Sequence, residues 1–182
     1  MKTAILIHGC YGKKEFLGGS YPSLSNSHWF GWLQKELLKK GILTQTPEMP
    51  EPYRPVYKKW KEVFESFHLD SHSVLIGRSC GAGFLLRWLG ENKIRIQKLV
   101  LVAPWLDPSR KRNEFLHFSI DPAMQGRIKT IHVLISDDER VEGVKTSVVM
   151  IRKTLPGAKL HEFRGMGHFT YGRMKTVEFP AL

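Results

Sequence analysis

Residues 73–83, Ser-Val-Leu-Ile-Gly-Arg-Ser-Cys-Gly-Ala-Gly, join a short apolar run to a run with helical spacing through one turn of small residues. The apolar run is typical of a buried parallel strand, and the apolar positions 84, 85, 88 and 89 recur as they do on one helix face. Between them, Gly77 to Gly81 has the pattern G-x-S-x-G, which predicts a strand-to-helix turn too sharp for bulky neighbours of the serine. We therefore interpret Ser79 as a nucleophile at the apex of this turn.

Strand-like and helix-like segments alternate over the rest of the chain. Strands are predicted at 3–8, 42–46, 74–76, 97–103, 130–135 and 159–163. Helices are predicted at 27–40, with Ser27 as the N-cap, at 55–67, directly after Ser79, and at 142–155. The mixed and basic stretch 105–129 is a candidate for a small cap or for irregular cover over a pocket. This alternation predicts a single α/β domain over residues 1–182, with helices on both faces of one mostly parallel sheet.

Composition limits the class of protein. With 182 residues, of which 42% are hydrophobic, the chain is long enough for one substantial core. The apolar run 4–7 is too short for a signal-peptide core and no run approaches the length of a membrane span, so we expect a soluble cytoplasmic protein that does not bind membranes. The net charge of +11 is spread over every segment, and the densest basic cluster, 109–113, lacks interleaved aromatic residues. We therefore expect no nucleic-acid partner.

A serine nucleophile needs a base within hydrogen-bond reach and a third group that orients the base. Catalytic groups on a parallel sheet gather at the carboxyl ends of its strands. Of the eight histidines, only His8 and His168 directly follow predicted strands. His168 lies in a glycine-containing loop and is the predicted base, whereas His8 is predicted to position the loop after the first strand. No metal site is predicted, because no pair of histidines or cysteines has ligand spacing on one helix or hairpin.

The candidate acids are carried by the segment 136–139, Ser-Asp-Asp-Glu, which leaves the fifth strand at the same edge of the sheet. The chain order Ser, Asp, His is that of the α/β-hydrolases rather than that of chymotrypsin or subtilisin. Asp137 and Asp138 are equally good candidates for the acid, because the end of the strand is predicted only to within about two residues and alternation along the strand cannot decide between them. Asp107, which precedes a proline, is more typical of a turn.

An oxyanion hole requires two N–H donors. The Cys80 N–H opens the helix after the nucleophile, and the loop after the first strand offers the Cys10 N–H, or that of Tyr11 as second choice. Two cysteines are too few for a disulfide framework, so we expect free thiols. If both amides donate to one oxyanion, however, the Cα atoms of Cys10 and Cys80 must lie close together. A disulfide that senses oxidants is therefore an alternative hypothesis.

The motifs together resemble those of the small serine hydrolases related to retinoblastoma-binding protein nine and of the bacterial YdeN-type hydrolases. The similar segments extend over nearly the whole chain and lie at 7–9, 26–33, 76–81, 136–141 and 167–169. The resemblance implies a compact α/β-hydrolase fold with six strands in the order 2-1-3-4-5-6 and a minimal cap. It also implies Ser79 and His168 as nucleophile and base. The family's acid is the second aspartate of its pair, with an aliphatic residue three positions on, which implies Asp138.

Two departures from the family pattern are visible. Arg78 replaces the histidine of many relatives, which changes the charge beside the nucleophile. The segment 179–182 stands where relatives begin a last helix, so one face of the sheet is expected to be less covered.

The combined prediction is a carboxylesterase-type serine hydrolase that cleaves small esters, or amides, through an acyl-serine intermediate, with a Ser-His-Asp triad and no cofactor. Tyr11, Trp105 and Phe169 are the predicted substrate contacts. One alternative is a hydrolase-fold module that binds a protein partner without catalysis, and another is an aminopeptidase or thioesterase. An aminopeptidase requires an acidic group near the pocket, for which Glu48 and Glu51 are the candidates.

Overall fold

The computed structural model describes residues 2–19, 23–111 and 114–182, and its centre is a sheet of six parallel strands. In chain order the strands are β1 (Lys2–Ile7), β2 (Ile42–Gln45), β3 (Val74–Arg78), β4 (Ile96–Val102), β5 (Ile128–Ser136) and β6 (Lys159–Phe163). Their spatial order is β2-β1-β3-β4-β5-β6, which confirms the predicted topology and fold class. The strand that leads to Ser79 thus lies inside the sheet, between β1 and β4.

The inner strands are continuous apolar runs because they are covered on both faces. Residues 4–7 of β1 and Leu99 and Leu101 of β4 have no exposed surface. The register pairs Ile7 with Gly77 and Arg78 with Val102. The carboxyl ends of β1, β3 and β4 therefore form one edge of the sheet, and the loops that follow them meet there.

Helices pack against this sheet. They are α1 (Lys13–Leu17), α2 (Phe30–Lys39), α3 (Tyr57–Phe64), α4 (Cys80–Asn92), α5 (Val144–Thr154) and α6 (Tyr171–Met174), of which the short α1 and α6 were not predicted. The predicted N-cap at Ser27 is wrong. A 3-10 turn at 24–26 precedes the helix, and the Ser27 hydroxyl donates to the Leu24 carbonyl oxygen at 2.7 Å. Within the described ranges, no helix combines the length and the apolar character that a membrane span needs.

The described residues between β4 and β5, within the stretch 105–127, form irregular cover on α4. They contain two 3-10 helices, Glu114–Leu116 and Pro122–Gly126. Phe115 and Met124 are buried, and Arg87 of α4 donates to the carbonyl oxygens of residues 114 and 115. Two residues of the basic cluster 109–113, Arg112 and Asn113, lie outside the described residues.

An aromatic cluster closes the β6 end of the sheet. The rings of Phe169 and Phe179 stack with their centroids 5.3 Å apart, and Trp29 and Phe163 contact Phe179 edge-on. The Trp29 indole N–H donates to the Phe169 carbonyl oxygen at 3.0 Å. Phe169 is wholly buried in this cluster, so the predicted substrate contact is instead a core residue that anchors the segment carrying His168.

Candidate active site

Ser79 has a backbone conformation that few residues other than glycine adopt. Its φ is 54° and its ψ is −124°, a region that costs a residue with a side chain about 1–3 kcal/mol. A Cβ on Gly77 would lie 2.6 Å from the Ala82 Cα, and one on Gly81 would lie 2.3 Å from the His8 carbonyl oxygen. Both glycines are thus required by the close approach of α4 to β1 and β3, as the G-x-S-x-G pattern predicts.

Two backbone N–H groups near Ser79 are available as donors. Cys80 is the first residue of α4, where amides lack intrahelical acceptors and the helix dipole is positive. Cys10 lies in the loop after β1. In the part of the chain that the structure describes, neither N–H donates to a protein acceptor, and both residues line the cavity that contains Ser79. These two amides are available to bind an oxyanion.

Cys10 and Cys80 are joined by a disulfide, with their Cα atoms 5.8 Å apart. The expected free thiols are therefore wrong, whereas the alternative hypothesis of a disulfide at the site agrees with the structure. The pairing of Ile7 with Gly77 explains the proximity, because it brings the loop after β1 beside the turn after β3. The bond holds that loop against the start of α4.

His168 follows β6 on a loop shaped by glycine. Gly165 and Gly167 have φ values of 67° and 52°. The His168 Nδ1 lies 2.8 Å from the Glu139 Oε2. Because an ionised carboxylate can only accept, the Nδ1–H donates to Glu139, and the Nε2 is left as an acceptor. His168 therefore has the protonation pattern of a general base.

Asp138 was predicted to orient His168, but the carboxylate that contacts the His168 ring is that of Glu139. The Asp138 Oδ1 instead accepts from the Ser136 hydroxyl at 2.6 Å and from the Gly167 N–H at 2.7 Å. Glu139 is only 5% exposed. Glu139 therefore orients the imidazole, while Asp138 holds the loop that carries it.

The end of β5 explains this difference. The strand continues to Ser136, one residue beyond its predicted end, and a tight turn follows in which the Glu139 N–H donates to the Ser136 carbonyl oxygen. The Glu139 carboxylate is fixed further by the Val141 N–H, which donates to its Oε1 at 2.8 Å. Asp137 lies on the other side of the turn, where its Oδ1 accepts from the Gly165 N–H at 2.9 Å.

Burial dominates the electrostatics of His168 and lowers its pKa below the ordinary value of 6.5. The hydrogen bond to Glu139 raises that pKa and the Arg78 charge lowers it, and the net direction is downward. The imidazole is therefore neutral at neutral pH and available to accept a proton.

Ser79 and His168 line one cavity of about 420 Å³, here called the nucleophile cavity, together with Cys10, Cys80, Trp105 and Val141. No hydrogen bond joins the Ser79 hydroxyl to the His168 ring, as is common before a substrate draws the two groups together. Trp105, a predicted substrate contact, lines this cavity, and its indole N–H donates to the Glu142 carbonyl oxygen at 2.9 Å. Asp107, the third candidate acid, also lines this cavity, and its Oδ1 accepts from the Lys111 N–H.

The other predicted residues lie away from the nucleophile cavity. Tyr11 lines an adjoining cavity, where its hydroxyl hydrogen-bonds to Ser27. His8 accepts a hydrogen bond from the Met49 N–H at 2.9 Å, as a positioning residue should. The aminopeptidase candidates are engaged elsewhere, since Glu48 accepts from the Ser25 N–H and Glu51 pairs with Lys59.

Sequence reasoning missed Glu139 and His28. Glu139 directly follows the aspartate pair, so only the exact strand end distinguishes it from them. His28 lines the cavity beside His168, and its Nδ1 accepts from the Tyr171 N–H at 3.1 Å. Burial, followed by the charges of Arg78 and His168, lowers the pKa of His28 to about 3. No local pattern marks this histidine, because the contact is with a residue distant in sequence.

The chain's similarity to known proteins agrees with this geometry. The sequence model of the family described as serine hydrolase matches residues 18–173. The chain belongs to the serine hydrolase family. This serine hydrolase is 27% identical over 165 residues, 86% of each chain, to YdeN of Bacillus subtilis (strain 168), whose name describes it as a hydrolase. The predicted resemblance to YdeN-type hydrolases is thereby confirmed.

Solved structures show the same fold. The crystal structure of the ydeN gene product from B. subtilis matches with a TM-score of 0.78 and 23% identity, covering 100% of this serine hydrolase and 94% of that chain. Est1E from Butyrivibrio proteoclasticus, with ferulic acid bound, matches with a TM-score of 0.60 and 16% identity over 93% of this chain and 82% of its own. With the family match, these similarities identify an α/β-hydrolase enzyme.

Proposed function

We propose that the protein is a carboxylesterase-type hydrolase of small esters in which Ser79, His168 and Glu139 form the catalytic triad. The observation that carries the proposal is the His168 ring, which Glu139 orients at 2.8 Å in the same cavity as the strained Ser79. The nucleophile, base and orienting acid are then all supplied by this chain, and no step needs a cofactor.

Acylation begins when the Ser79 hydroxyl passes its proton to the His168 Nε2 and its oxygen attacks the ester carbonyl carbon. The carbonyl oxygen becomes an oxyanion, for which the Cys10 and Cys80 N–H groups are the donors. The buried Glu139 carboxylate stabilises the imidazolium that has formed. The carbon–oxygen bond to the alcohol then breaks, and the alcohol oxygen leaves with the proton from the Nε2.

Deacylation repeats these transfers with water. A water molecule gives a proton to the His168 Nε2 as its oxygen attacks the acyl carbon, and the same two amides bind the second oxyanion. Collapse of the intermediate breaks the bond to the Ser79 oxygen, which regains its proton from the Nε2. The carboxylic acid product leaves, and the enzyme returns to its starting state.

The test is labelling by a fluorophosphonate probe together with turnover of p-nitrophenyl acetate and butyrate. Ser79→Ala and His168→Ala are expected to lose labelling and to lose kcat by at least about 10⁴-fold. Ser109→Ala is the matched control, because Ser109 lines the same cavity and should label as the wild type does.

A folded wild type that neither labels nor turns over ester would overturn the proposal. The partner-binding alternative would then be tested next. Turnover of a p-nitrophenyl thioester or an aminoacyl amide in preference to both esters would keep the triad and change the substrate class.

A further inference from the structure

Arg78 is a buried cation that has no anionic partner among the residues that the structure describes. It is the last residue of β3 and is only 4% exposed. Its Nη1 donates to the Tyr11 hydroxyl at 3.1 Å and its Nε donates to the His168 carbonyl oxygen at 3.3 Å. The guanidinium carbon also lies 5.8 Å from the centre of the Tyr11 ring. Among the described residues, no carboxylate forms an ion pair with Arg78.

This arrangement differs from that of most buried arginines. A guanidinium removed from water is normally compensated by a carboxylate or phosphate, often through two parallel hydrogen bonds. The hydroxyl and the carbonyl oxygen bonded to Arg78 are both neutral, and they use two of its five N–H donors. The remaining donors and the uncompensated charge are suited to an anion that arrives from outside the protein.

A cavity gives such an anion access to Arg78. This Arg78 cavity has a volume of about 360 Å³, and its walls include Tyr11, Glu15, His28 and Thr170. It shares Cys10 and His168 with the nucleophile cavity, so the two adjoin. A ligand bound at Ser79 can therefore extend past the His168 ring toward the guanidinium.

Gly9 keeps the guanidinium close to the nucleophile. A Cβ at this position would lie 3.0 Å from the Ser79 Cβ and 3.3 Å from the Arg78 Nη1. Both groups thus lie in contact distance of the space beside Gly9, and a side chain at this position would displace one of them. A negatively charged group on a short substrate bound at Ser79 can therefore reach the Arg78 guanidinium.

The guanidinium and the net charge of the protein are the two positive contributions that favour an anion in the Arg78 cavity. His28 contributes no positive charge at neutral pH, and its ring is held by the Tyr171 N–H. Glu15, on the exposed helix α1, is the one carboxylate among the residues that line the cavity, and it makes no ion pair with Arg78. The net charge of +11 attracts anionic ligands from solution.

We propose that the Arg78 cavity is a subsite for a carboxylate carried by the substrate, so that the enzyme prefers monoanionic esters to neutral esters of the same size. The carboxylate displaces solvent from the cavity and accepts hydrogen bonds from the free guanidinium donors. This inference rests on the proposed esterase function and extends it to a substrate class.

The experiment compares kcat/KM for two matched pairs of esters. On the acyl side, mono-p-nitrophenyl succinate is compared with p-nitrophenyl butyrate, and on the alcohol side 3-acetoxybenzoate is compared with phenyl acetate. At least one anionic ester should be preferred by the wild type by about tenfold or more. The pair that shows the preference tells which part of the ester enters the Arg78 cavity.

Substitutions separate this subsite from general attraction of anions. Arg78→Met should reduce the anionic-to-neutral ratio by at least about tenfold, and Arg78→Lys should reduce it less because the charge remains. Lys111→Met is the matched control, since Lys111 is a cation of the nucleophile cavity that already pairs with Glu142 at 2.8 Å, and this variant should keep the wild-type ratio. Glu15→Gln should raise the ratio.

A second measurement needs only the wild type and covers the case in which Arg78→Met fails to fold. Glutarate should inhibit hydrolysis of p-nitrophenyl acetate competitively, and at least about tenfold more strongly than glutaramide. The subsite proposal would be overturned if the enzyme turned over neutral esters, preferred neither anionic ester and were inhibited no better by glutarate than by glutaramide. The esterase proposal would still stand. A ratio lost in Lys111→Met but kept in Arg78→Met would also overturn it. Absence of all turnover would instead contradict the esterase proposal itself.

Discussion

In the proposed mechanism, the side chain of Glu139 acts on the reaction only through His168. Its carboxylate accepts from the imidazole Nδ1, and this hydrogen bond fixes which ring nitrogen is free to accept the serine proton. The Asp138 carboxylate, one residue earlier, instead accepts from Ser136 and Gly167. The two neighbouring acids can therefore be distinguished by isosteric amide substitutions.

We predict that Glu139→Gln lowers kcat for p-nitrophenyl acetate by about 10³–10⁴-fold, because an amide no longer holds the required tautomer. Asp138→Asn should lower it by less than about tenfold, because the remaining side-chain oxygen can still accept from the loop. Thermal melts of both variants provide the control for folding. A greater loss in Asp138→Asn would identify Asp138 as the triad acid after all.

The pH profile should report the environment of His168. Burial lowers the pKa of His168 below 6.5, so the ring loses its proton at a pH below that value as the pH rises. The acid limb of the kcat/KM profile should therefore have its midpoint below pH 6.5. The Arg78 charge also lowers this pKa, so Arg78→Met should move the limb to higher pH. The limb should move in the opposite direction in Glu139→Gln, which removes a group that raises the pKa. A midpoint above 6.5 in the wild type would contradict the assignment.

At the residue scale, sequence reasoning selected Ser79 and His168, which line one cavity, but it missed the carboxylate that contacts His168. Ser79 lies in a pattern whose glycines are required by steric contacts, and His168 follows a strand in a glycine loop. Three consecutive acids leave β5, by contrast, and a shift of one residue decides which of them points at His168. The family pattern favoured Asp138, whereas the turn from Ser136 to Glu139 presents the next carboxylate.

At the scale of elements, the packing of α4 on β1 gives a prediction with its own control. Gly81→Ala would place a Cβ 2.3 Å from the His8 carbonyl oxygen and 2.6 Å from that of Ile7, so we expect a loss of more than about 3 kcal/mol or failure to fold. In the same helix, Gly90→Ala meets no atom nearer than 3.6 Å and should stabilise the protein by up to about 1 kcal/mol. Urea unfolding of both variants measures the difference. Similar stabilities would contradict the close approach.

The disulfide links two elements across a sequence separation of 70 residues. Reduction by dithiothreitol is expected to lower the unfolding free energy by about 2–4 kcal/mol, because the unfolded chain regains the freedom of a long loop. It should also lower kcat, since the Cys10 amide is no longer held against α4. The double variant Cys10→Ser, Cys80→Ser should be insensitive to dithiothreitol. A wild type with equal melting temperature and kcat in both redox states would contradict this prediction.

Strands and helices were predicted from the sequence where their hydrophobic pattern was long and regular, and they were missed where it was short. The continuous apolar strands were found from hydrophobic runs, and β6 was found with its observed ends. The helices α1 and α6 have 5 and 4 residues, too few for a helical period to be visible. Ser27 has the chemistry of an N-cap, but its hydroxyl bonds backward to Leu24 because a 3-10 turn intervenes.

At the scale of the whole molecule, buried histidines should make the fold sensitive to acid. Burial is the largest cause that lowers the pKa of His8, His28, His132 and His168, to about 3 for His28. Each folded pKa lies below that of the unfolded chain, so the unfolded form binds more protons below pH 6.5. Stability should therefore fall as the pH decreases from 6.5 toward 3.

The slope of unfolding free energy against pH measures this effect. Each proton taken up on unfolding contributes about 1.4 kcal/mol per pH unit. His28→Gln should make the slope shallower by close to one proton between pH 6 and 4, whereas His68→Gln, at an exposed position, should not change it. Stability that is constant over this range would contradict the burial of these rings as neutral groups.

The alternation of strands and helices predicted a parallel sheet, and the order of its strands was predictable because the motifs resemble those of a known family. The Arg78 cavity was not predictable, since its walls come from segments near residues 11, 28, 78, 168 and 170 that only the fold brings together. The sequence showed only that an arginine directly precedes Ser79. The lack of a carboxylate partner for this arginine is a property of the folded chain.

The bond between Cys10 and Cys80 makes residues 10–80 a covalently closed ring that includes β2, α3 and β3. A protease that cuts the proline-rich stretch 47–55 once would open the backbone but leave both pieces in one covalent molecule. Such a nicked protein runs as a single band on a non-reducing gel and as two bands after reduction. β1 then remains tethered to the turn that carries Ser79 even when the backbone between them is broken.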